Sequence, residues 1–345
     1  MAKSDSFLPG DPGVNSLSPN VSLSLLQNPL PWLRAFWKFS RPHTIIGTSL
    51  SVVGLFAVAW AARHPAGANP ATLHVWGGIA AMLLTWLACL CGNVYIVGLN
   101  QLEDVEIDRV NKPHLPLASG EFSRSQGVLL VGLALLAAMA LAGLSQSLYL
   151  IATIWISIAI GTAYSLPPIR LKRFPLWASV CILSVRGAVV NLGLYLHASH
   201  QLGLRPTVPL RVWVLTLFVL VFSFAIAIFK DIPDIEGDRR YGIETFSLQL
   251  GQRSVFNLAR WVITACYLGV MAVAPFLSGV NILFLVVSHA LALIFLWQQS
   301  HRVQLDGEPT GEAAAVAVSY PQFYQFIWKL FFIEYLIFPA ACLLS

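Results

Sequence analysis

The feature that most constrains the fold of this chain is a series of nine long apolar stretches. They lie at roughly 44–62, 75–99, 126–143, 147–165, 177–197, 210–229, 257–277, 280–298 and 325–343. As a helix, each stretch is long enough to cross a hydrocarbon layer about 30 Å thick, and a helix satisfies its own backbone hydrogen bonds there. Only 11% of the residues are charged, whereas soluble domains average about 25%. The sequence therefore predicts an all-α, polytopic membrane bundle of about nine transmembrane helices, and it disfavours a soluble enzyme or a nucleic-acid-binding protein.

The first 30 residues differ from the rest of the chain. They are rich in Ser, Pro, Asn and Gly and lack an apolar core of signal-peptide length. We predict a disordered lead over residues 1–30 and a single transmembrane domain over residues 31–345. At the start of that domain, residues 31–41 alternate aromatic and basic side chains, which is typical of a helix lying along the lipid headgroups. A plain juxtamembrane anchor is the alternative.

The distribution of basic residues predicts the orientation in the membrane. Of the 21 Lys and Arg residues, 16 fall in the N-terminal segment and in the loops after the second, fourth, sixth and eighth stretches. Three lie on the opposite side, namely Arg63, Arg205 and Arg211. Because cytoplasmic loops carry the excess of Lys and Arg, we expect a cytoplasmic N-terminus and two acidic loops on the cytoplasmic face.

Acidic residues are concentrated in two short windows, which follow the second and the sixth stretch. Ten of the 16 carboxylates lie in 103–121 and 231–244. In the first window Asn100, Asp104 and Asp108 are spaced four apart, which places their side chains on one face of a helix. The recurrence of the pattern four helices later hints at an internal duplication. Chance clustering of solvated loop acids is the alternative.

The second window has a similar spacing. Asp231, Asp234 and Asp238 lie at i, i+3 and i+7, again on one helical face, although Pro233 and Gly237 disfavour a continuous helix. Carboxylates gathered at the end of a membrane helix repel one another and are costly to desolvate, so we expect bound cations. Hard oxygen ligands suit Mg²⁺, whose coordination is often completed by substrate phosphates. Two facing sets therefore predict two Mg²⁺ sites that hold a diphosphate.

Basic residues are interleaved with these acids. They are Arg109, Lys112, Arg170, Lys172, Arg173, Lys230, Arg239 and Arg240. Such bases bind phosphate oxygens and stabilise a departing anion. For any one of them, a simple topology signal is the alternative reading.

Two sequence motifs carry a family resemblance. NQLEDVEID and KDIPDIEGD, after the second and the sixth apolar stretch, resemble the paired motifs of the UbiA superfamily of intramembrane aromatic prenyltransferases. The segments YSLPPIRLKRFP and FKDIPDIEGDRRYGIETFSLQLG look most like its homogentisate phytyltransferase branch. The resemblance implies a Mg²⁺-dependent enzyme that transfers a phytyl group from phytyl diphosphate to homogentisate, with loss of CO₂ and diphosphate, in a cyanobacterial inner or thylakoid membrane. A geranylgeranyl or solanesyl donor, or chlorophyll synthase activity, stays open, and a secondary transporter is a remote alternative.

The resemblance also assigns roles to individual residues. It makes Asn100, Asp104 and Asp108 the first metal–diphosphate site and Asp231, Asp234 and Asp238 the second, with the five aspartates and Lys230 catalytic. It places Tyr164, Arg170, Lys172 and Lys230 around the diphosphate. The interleaved bases Arg109, Lys112 and Arg239 are further candidates for phosphate contacts. Whether Arg170 or Lys172 takes the role of the family's lysine stays open.

Candidate residues for the aromatic acceptor lie on the first and fifth stretches. Arg186 and Asn191 fall inside the fifth stretch, where polar groups are costly and should face the bundle interior. Arg41 and His43 enter the first stretch from the cytoplasmic side. A structural ion pair with Glu334 is the alternative for Arg186, and an ordinary interfacial histidine is the alternative for His43.

Overall fold

Long helices dominate the computed structural model, which describes residues 23–63, 73–232, 250–304 and 318–345. In chain order the helices are α1 (Pro29–Phe39), α2 (Pro42–Arg63), α3 (Leu73–Glu103), α4 (Val105–Asn111), α5 (Pro116–Ser119), α6 (Arg124–Leu144), α7 (Leu148–Ser165), α8 (Pro175–Leu183), α9 (Val190–Gln201), α10 (Leu210–Asp231), α11 (Gln252–Val273), α12 (Ile282–His301) and α13 (Tyr320–Leu343). Two 3₁₀ turns cover Leu171–Arg173 and Ala274–Phe276. A short parallel pair joins β1 (Val303–Gln304) to β2 (Val318–Ser319).

Nine spans within the described residues are long and apolar enough to cross a membrane, which confirms the predicted helical bundle. Seven of them are single helices, and the seventh span adds the 3₁₀ turn Ala274–Phe276 to α11. The fifth is a composite of α8, a π-helical turn (Ser184–Val189) and α9. The hydropathy pattern predicted a span at 177–197 but not its π turn. The apolar character of a stretch does not show which backbone N–H groups pair with which carbonyls.

Helix α1 occupies the position of the predicted interfacial helix. Its Leu33 and Trp37 are exposed, whereas Phe39 is buried. Lys38 forms a salt bridge with Glu121 in the loop after α5. One face of α1 therefore packs on the bundle, and the opposite face leaves apolar side chains free for lipid.

Of the predicted lead, residues 1–22 lie outside the described residues. The backbone N–H of Leu23 donates to the carbonyl of Glu121, and the Leu23 carbonyl accepts from the side chain of Gln126. Gln126 and Ser123 also form the capping box that begins α6. The domain boundary near residue 30 stays a prediction.

Helix α3 packs closely against α1 and α6 near its C-terminal end. A Cβ atom at Gly98 would come within 2.7 Å of both Phe39 and Val131, so only glycine permits this approach. This packing fixes the end of α3 that carries Asn100.

An aromatic core fills the bundle between α10, α11 and α13. Phe218, Phe222, Tyr267 and Phe331 are all buried there, and neighbouring ring centroids lie 5.4–6.3 Å apart. Aromatic rings fill this part of the bundle. A cavity lies elsewhere, between α2, α3, α7, the fifth span and α13.

Candidate active site

The first acidic set lies at a break between two helices. Helix α3 ends at Glu103, and α4 begins at Val105 with Asp104 as its N-cap residue. The predicted continuous helical face through Asn100, Asp104 and Asp108 is therefore wrong, because the backbone leaves the helical conformation at Asp104. The Asp104 side chain makes no capping hydrogen bond, so its carboxylate is available to other partners.

Two basic residues from the loop after α7 contact that carboxylate. Arg170 Nη2 lies 2.9 Å from Asp104 Oδ1, and Lys172 Nζ lies 2.5 Å from Oδ2. Asn100 Nδ2 also donates to Asp104 Oδ2, at 3.1 Å. Burial lowers the pKa of Lys172, and the adjacent Asp104 opposes that shift. The structure thus brings Arg170 and Lys172, the two candidates for the role of the family's lysine, to the same carboxylate.

Arg41 joins this group from the start of α2. Its Nη2 atom donates to Asn100 Oδ1 at 3.1 Å, so its guanidinium lies with the first acidic set. Arg41 and Arg170 both have left-handed backbones, with φ of 52° and 39°. Such conformations are strained for residues with a Cβ, and they concentrate at functional sites.

Asp108 is the most buried acid of the first set, with 4% of its surface exposed. Burial raises the pKa of its carboxyl group, and the neighbouring Lys112 opposes the shift. Lys112 Nζ is 3.9 Å from Asp108 Oδ1, while Asp108 Oδ2 has no hydrogen-bond partner. A buried carboxylate oxygen of this kind needs a donor or a cation.

These oxygens fit Mg²⁺ in their chemistry. Asn100, Asp104 and Asp108 supply the hard ligands that Mg²⁺ prefers, and the unpartnered oxygen of Asp108 supports a cation beside it. Across the described ranges no three His, Cys, Asp or Glu side chains gather as a metal site. A Mg²⁺ ion at this set would therefore draw further ligands from phosphate oxygens or from the second acidic set.

The second acidic set lies outside what the structure describes. The backbone of α10 ends at Asp231, but the side chains of Lys230 and Asp231 and all of residues 233–249, with Asp234, Asp238 and Arg239, are outside the described residues. Their predicted roles stay predictions.

A cavity of about 300 Å³ runs inward from the first acidic set. Arg41, Asn100 and Tyr164 line it at the end that carries the acids. Farther in, its walls are made largely by apolar and small side chains of α2, α3, α7, the fifth span and α13, such as Ile96, Ile154, Val190, Leu194 and Phe332. The cavity can therefore hold a charged group at one end and an apolar group along its length.

Arg186 points into this cavity from the π-helical turn. Its guanidinium carbon lies 5.1 Å from the ring centroid of Trp328 and 5.8 Å from that of Phe331. No carboxylate of the described residues lies within salt-bridge distance of it. Glu334 pairs instead with His289, at 3.4 Å. The alternative of an Arg186–Glu334 ion pair is therefore wrong.

The other acceptor candidates have different surroundings. His43 lines the cavity, and its ring centroid lies 5.3 Å from that of Trp328. Asn191 is fully buried and does not line the cavity. Its amide is hydrogen-bonded to the hydroxyl of Tyr335 and to the carbonyls of Arg186 and Gly187. Its position does not support direct contact with an acceptor. Arg109 also lies apart, since it pairs with the exposed Glu106.

Sequence reasoning missed two residues of the cavity wall. Trp328 contacts both Arg186 and His43, and Asn93 donates to Thr44 at 3.0 Å. Neither belongs to a motif, and helical periodicity alone does not distinguish an inward tryptophan from one in the interface belt.

Comparisons with known proteins agree with these features. Residues 50–330 match the UbiA prenyltransferase family. The chain is 51% identical over 314 residues to homogentisate phytyltransferase of Synechocystis sp., covering 90% of this chain and 96% of that one. It is 38% identical to homogentisate geranylgeranyltransferase of Triticum aestivum, covering 89% and 72%. A solved UbiA homologue from Archaeoglobus fulgidus bound to GPP and Mg²⁺ has a TM-score of 0.56 at 18% identity, covering 89% and 99%.

Proposed function

The chain belongs to the UbiA prenyltransferase family, and we propose that it transfers a phytyl group from phytyl diphosphate to homogentisate. Diphosphate and CO₂ are released, and the product is 2-methyl-6-phytylbenzoquinol, an intermediate of tocopherol biosynthesis. The identity of 51% to a homogentisate phytyltransferase over nearly the whole of both chains supports this reaction. The similarity to a homogentisate geranylgeranyltransferase supports geranylgeranyl diphosphate as the alternative donor.

The observation that carries the proposal is a cavity that joins a cluster of acidic and basic side chains to a half-buried arginine on its wall. Asn100 lies at one end of the cavity, where it contacts Asp104 and Arg41, and Arg186 lies on its wall. The reaction needs both features, because the donor carries a diphosphate and the acceptor carries a carboxylate.

The donor's diphosphate lies at the acidic end. Asn100, Asp104 and Asp108, together with Asp231, Asp234 and Asp238, would hold Mg²⁺, which would supply positive charge against the diphosphate leaving group. Arg41, Arg170, Lys172 and Tyr164 lie around the same end and donate to phosphate oxygens. Lys112 lies beside Asp108, and we assign Lys230 and Arg239 to the diphosphate as well, on the sequence alone. These donors stabilise the negative charge that grows on the leaving group as the carbon–oxygen bond lengthens.

The acceptor's carboxylate pairs with Arg186. A half-buried guanidinium with no acidic partner among the described residues favours an anion beside it, and Trp328 and Phe331 hold it against the cavity wall. His43 lines the same cavity beside this tryptophan, and we assign it to the aromatic ring of the acceptor. The prenyl tail lies along the apolar walls, which exclude water from the reacting carbon.

The enzyme lies in a cyanobacterial inner or thylakoid membrane, with its N-terminus and active site on the cytoplasmic side. The excess of basic residues in the N-terminal segment and in the loops after the second, fourth, sixth and eighth stretches supports this orientation. The contacts of Arg41, Asn100, Asp104 and Arg170 also support it, since they bring three of these segments to one end of the bundle.

A competition between donors tests the reaction. Membranes containing the protein are incubated with homogentisate and an equimolar mixture of phytyl, geranylgeranyl and solanesyl diphosphates, and the products are identified by mass. We expect the phytyl product to dominate. A dominant geranylgeranyl or solanesyl product would show that the enzyme prefers that donor to phytyl diphosphate. If no donor gave a product derived from homogentisate, the proposed function would be rejected.

Replacing Arg186 tests the acceptor site. We expect Arg186→Leu to raise the KM for homogentisate about 10- to 100-fold, because a hydrogen bond to a charged group contributes about 1.5–3 kcal/mol. The KM for phytyl diphosphate should change little. Lys329→Leu is the matched control, since Lys329 is a basic residue of α13 that is exposed and does not line the cavity. A larger effect on the donor's KM would assign Arg186 to the diphosphate.

A further inference from the structure

The fifth span contains a π-helical turn directly at Arg186. The N–H of the following residue, Val190, bonds to the carbonyl of Val185, five residues back. In an α-helix that N–H would bond to the carbonyl of Arg186, four residues back. The Arg186 carbonyl therefore loses its usual partner in the interior of the bundle, where an unpaired backbone group is costly.

This turn determines which side chains face the cavity. Ile182 and Leu194 both line it, yet in an uninterrupted α-helix twelve residues turn the two side chains about 120° apart. A π turn accommodates one extra residue, which removes about 100° of that difference. Arg186 lies within the adjusted segment and lines the same cavity.

Asn191 compensates for the bond that the turn breaks. Its Nδ2 donates to the Arg186 carbonyl at 3.0 Å and to the Gly187 carbonyl at 2.7 Å. Its Oδ1 accepts a hydrogen bond from the hydroxyl of Tyr335 at 2.9 Å. Asn191 and Tyr335 are both buried, so neither side chain exchanges these bonds freely with water.

Helix α13 thus supports both the guanidinium and the main chain of Arg186. Trp328 and Phe331 contact the guanidinium, and Tyr335 supports the main chain through Asn191. These three residues are spaced so that they share one face of α13. On the other side of the turn, a Cβ atom at Gly187 would come within 2.9 Å of Leu220 in α10, so the turn is also packed from behind.

We propose that Asn191 and Tyr335 are positioning residues that stabilise the π-helical turn and so hold the Arg186 guanidinium in place for the acceptor's carboxylate. The inference rests on the proposed function and deepens it, because it assigns acceptor recognition to a network beyond the cavity wall. Asn191 contributes through Arg186, without touching the acceptor.

The test compares two buried tyrosines. Tyr335→Phe removes the hydroxyl that donates to Asn191, whereas Tyr267→Phe removes a buried hydroxyl with no hydrogen-bond partner. The KM values for homogentisate and for phytyl diphosphate are measured for both variants. We expect Tyr335→Phe to raise the KM for homogentisate about three- to tenfold and to leave that for phytyl diphosphate within about twofold. Tyr267→Phe should change neither.

A double-mutant cycle separates positioning from general damage to the fold. If Tyr335 acts through Arg186, adding Tyr335→Phe to Arg186→Leu should raise the KM for homogentisate no further. Asn191→Leu should give a larger shift than Tyr335→Phe, and if it does not fold, the tyrosine pair still decides.

Each remaining outcome contradicts a specific step. Equal effects of Tyr335→Phe and Tyr267→Phe, equal increases in both KM values, or additive effects in the cycle would overturn the positioning role alone. An unchanged KM for homogentisate in Arg186→Leu would overturn the proposed acceptor site, and the positioning role with it.

Discussion

We expect Asp104→Ala to lower kcat at least about 100-fold, the scale seen when one preorganised electrostatic group is removed from an active site. The carboxylate of Asp104 contacts Asn100, Arg170 and Lys172 at once. Its removal takes away a proposed metal ligand and also leaves the ammonium group of Lys172, whose side chain is 12% exposed, without its nearest counter-charge. The measurement is steady-state kinetics at saturating phytyl diphosphate and homogentisate with purified, detergent-solubilised enzyme.

Glu106→Ala is the matched control for that variant. Glu106 lies two residues away on α4, its side chain is 81% exposed, and it forms an ion pair with Arg109. We expect turnover within about twofold of the parent, because exposed ion pairs contribute little. Similar losses in the two variants would indicate a general electrostatic effect of the loop, and normal turnover in Asp104→Ala would reject the role of the first acidic set.

The membrane spans could be predicted from sequence because the bilayer imposes one simple requirement on them. A stretch such as 210–229 must be predominantly apolar, and the structure has α10 there. The break at Asp104 was missed for the converse reason. Four-residue spacing is compatible with one helix or with two helices joined at an N-cap, and only the backbone geometry distinguishes them.

The chemistry of the site was predictable where it depends on residue type. Clustered acids predict positive charge beside them, and the structure brings the side chains of Arg170 and Lys172 to Asp104. The position of Asn191 was not predictable, since a buried amide can face a cavity or its own backbone. The contact between Trp328 and Arg186 also depends on helix packing, which one sequence does not specify.

Removal of divalent cations should have the largest effect of any treatment. We expect EDTA to stop turnover and added Mg²⁺ to restore it, because the growing charge on a diphosphate leaving group needs a cation that the bases alone do not replace. Full activity in EDTA would reject the magnesium requirement.

The part that Asp108 plays in this requirement can be measured separately. Its Oδ2 atom is buried without a hydrogen-bond partner, so a bound cation would relieve the burial of that charge. We expect Asp108→Asn to raise the Mg²⁺ concentration for half-maximal turnover about tenfold and to weaken Mn²⁺ binding followed by electron paramagnetic resonance. Glu106→Gln, on the same short helix but exposed to solvent, should change neither quantity. If both variants kept the parent's dependence on Mg²⁺, the buried oxygen of Asp108 would have no part in holding the metal.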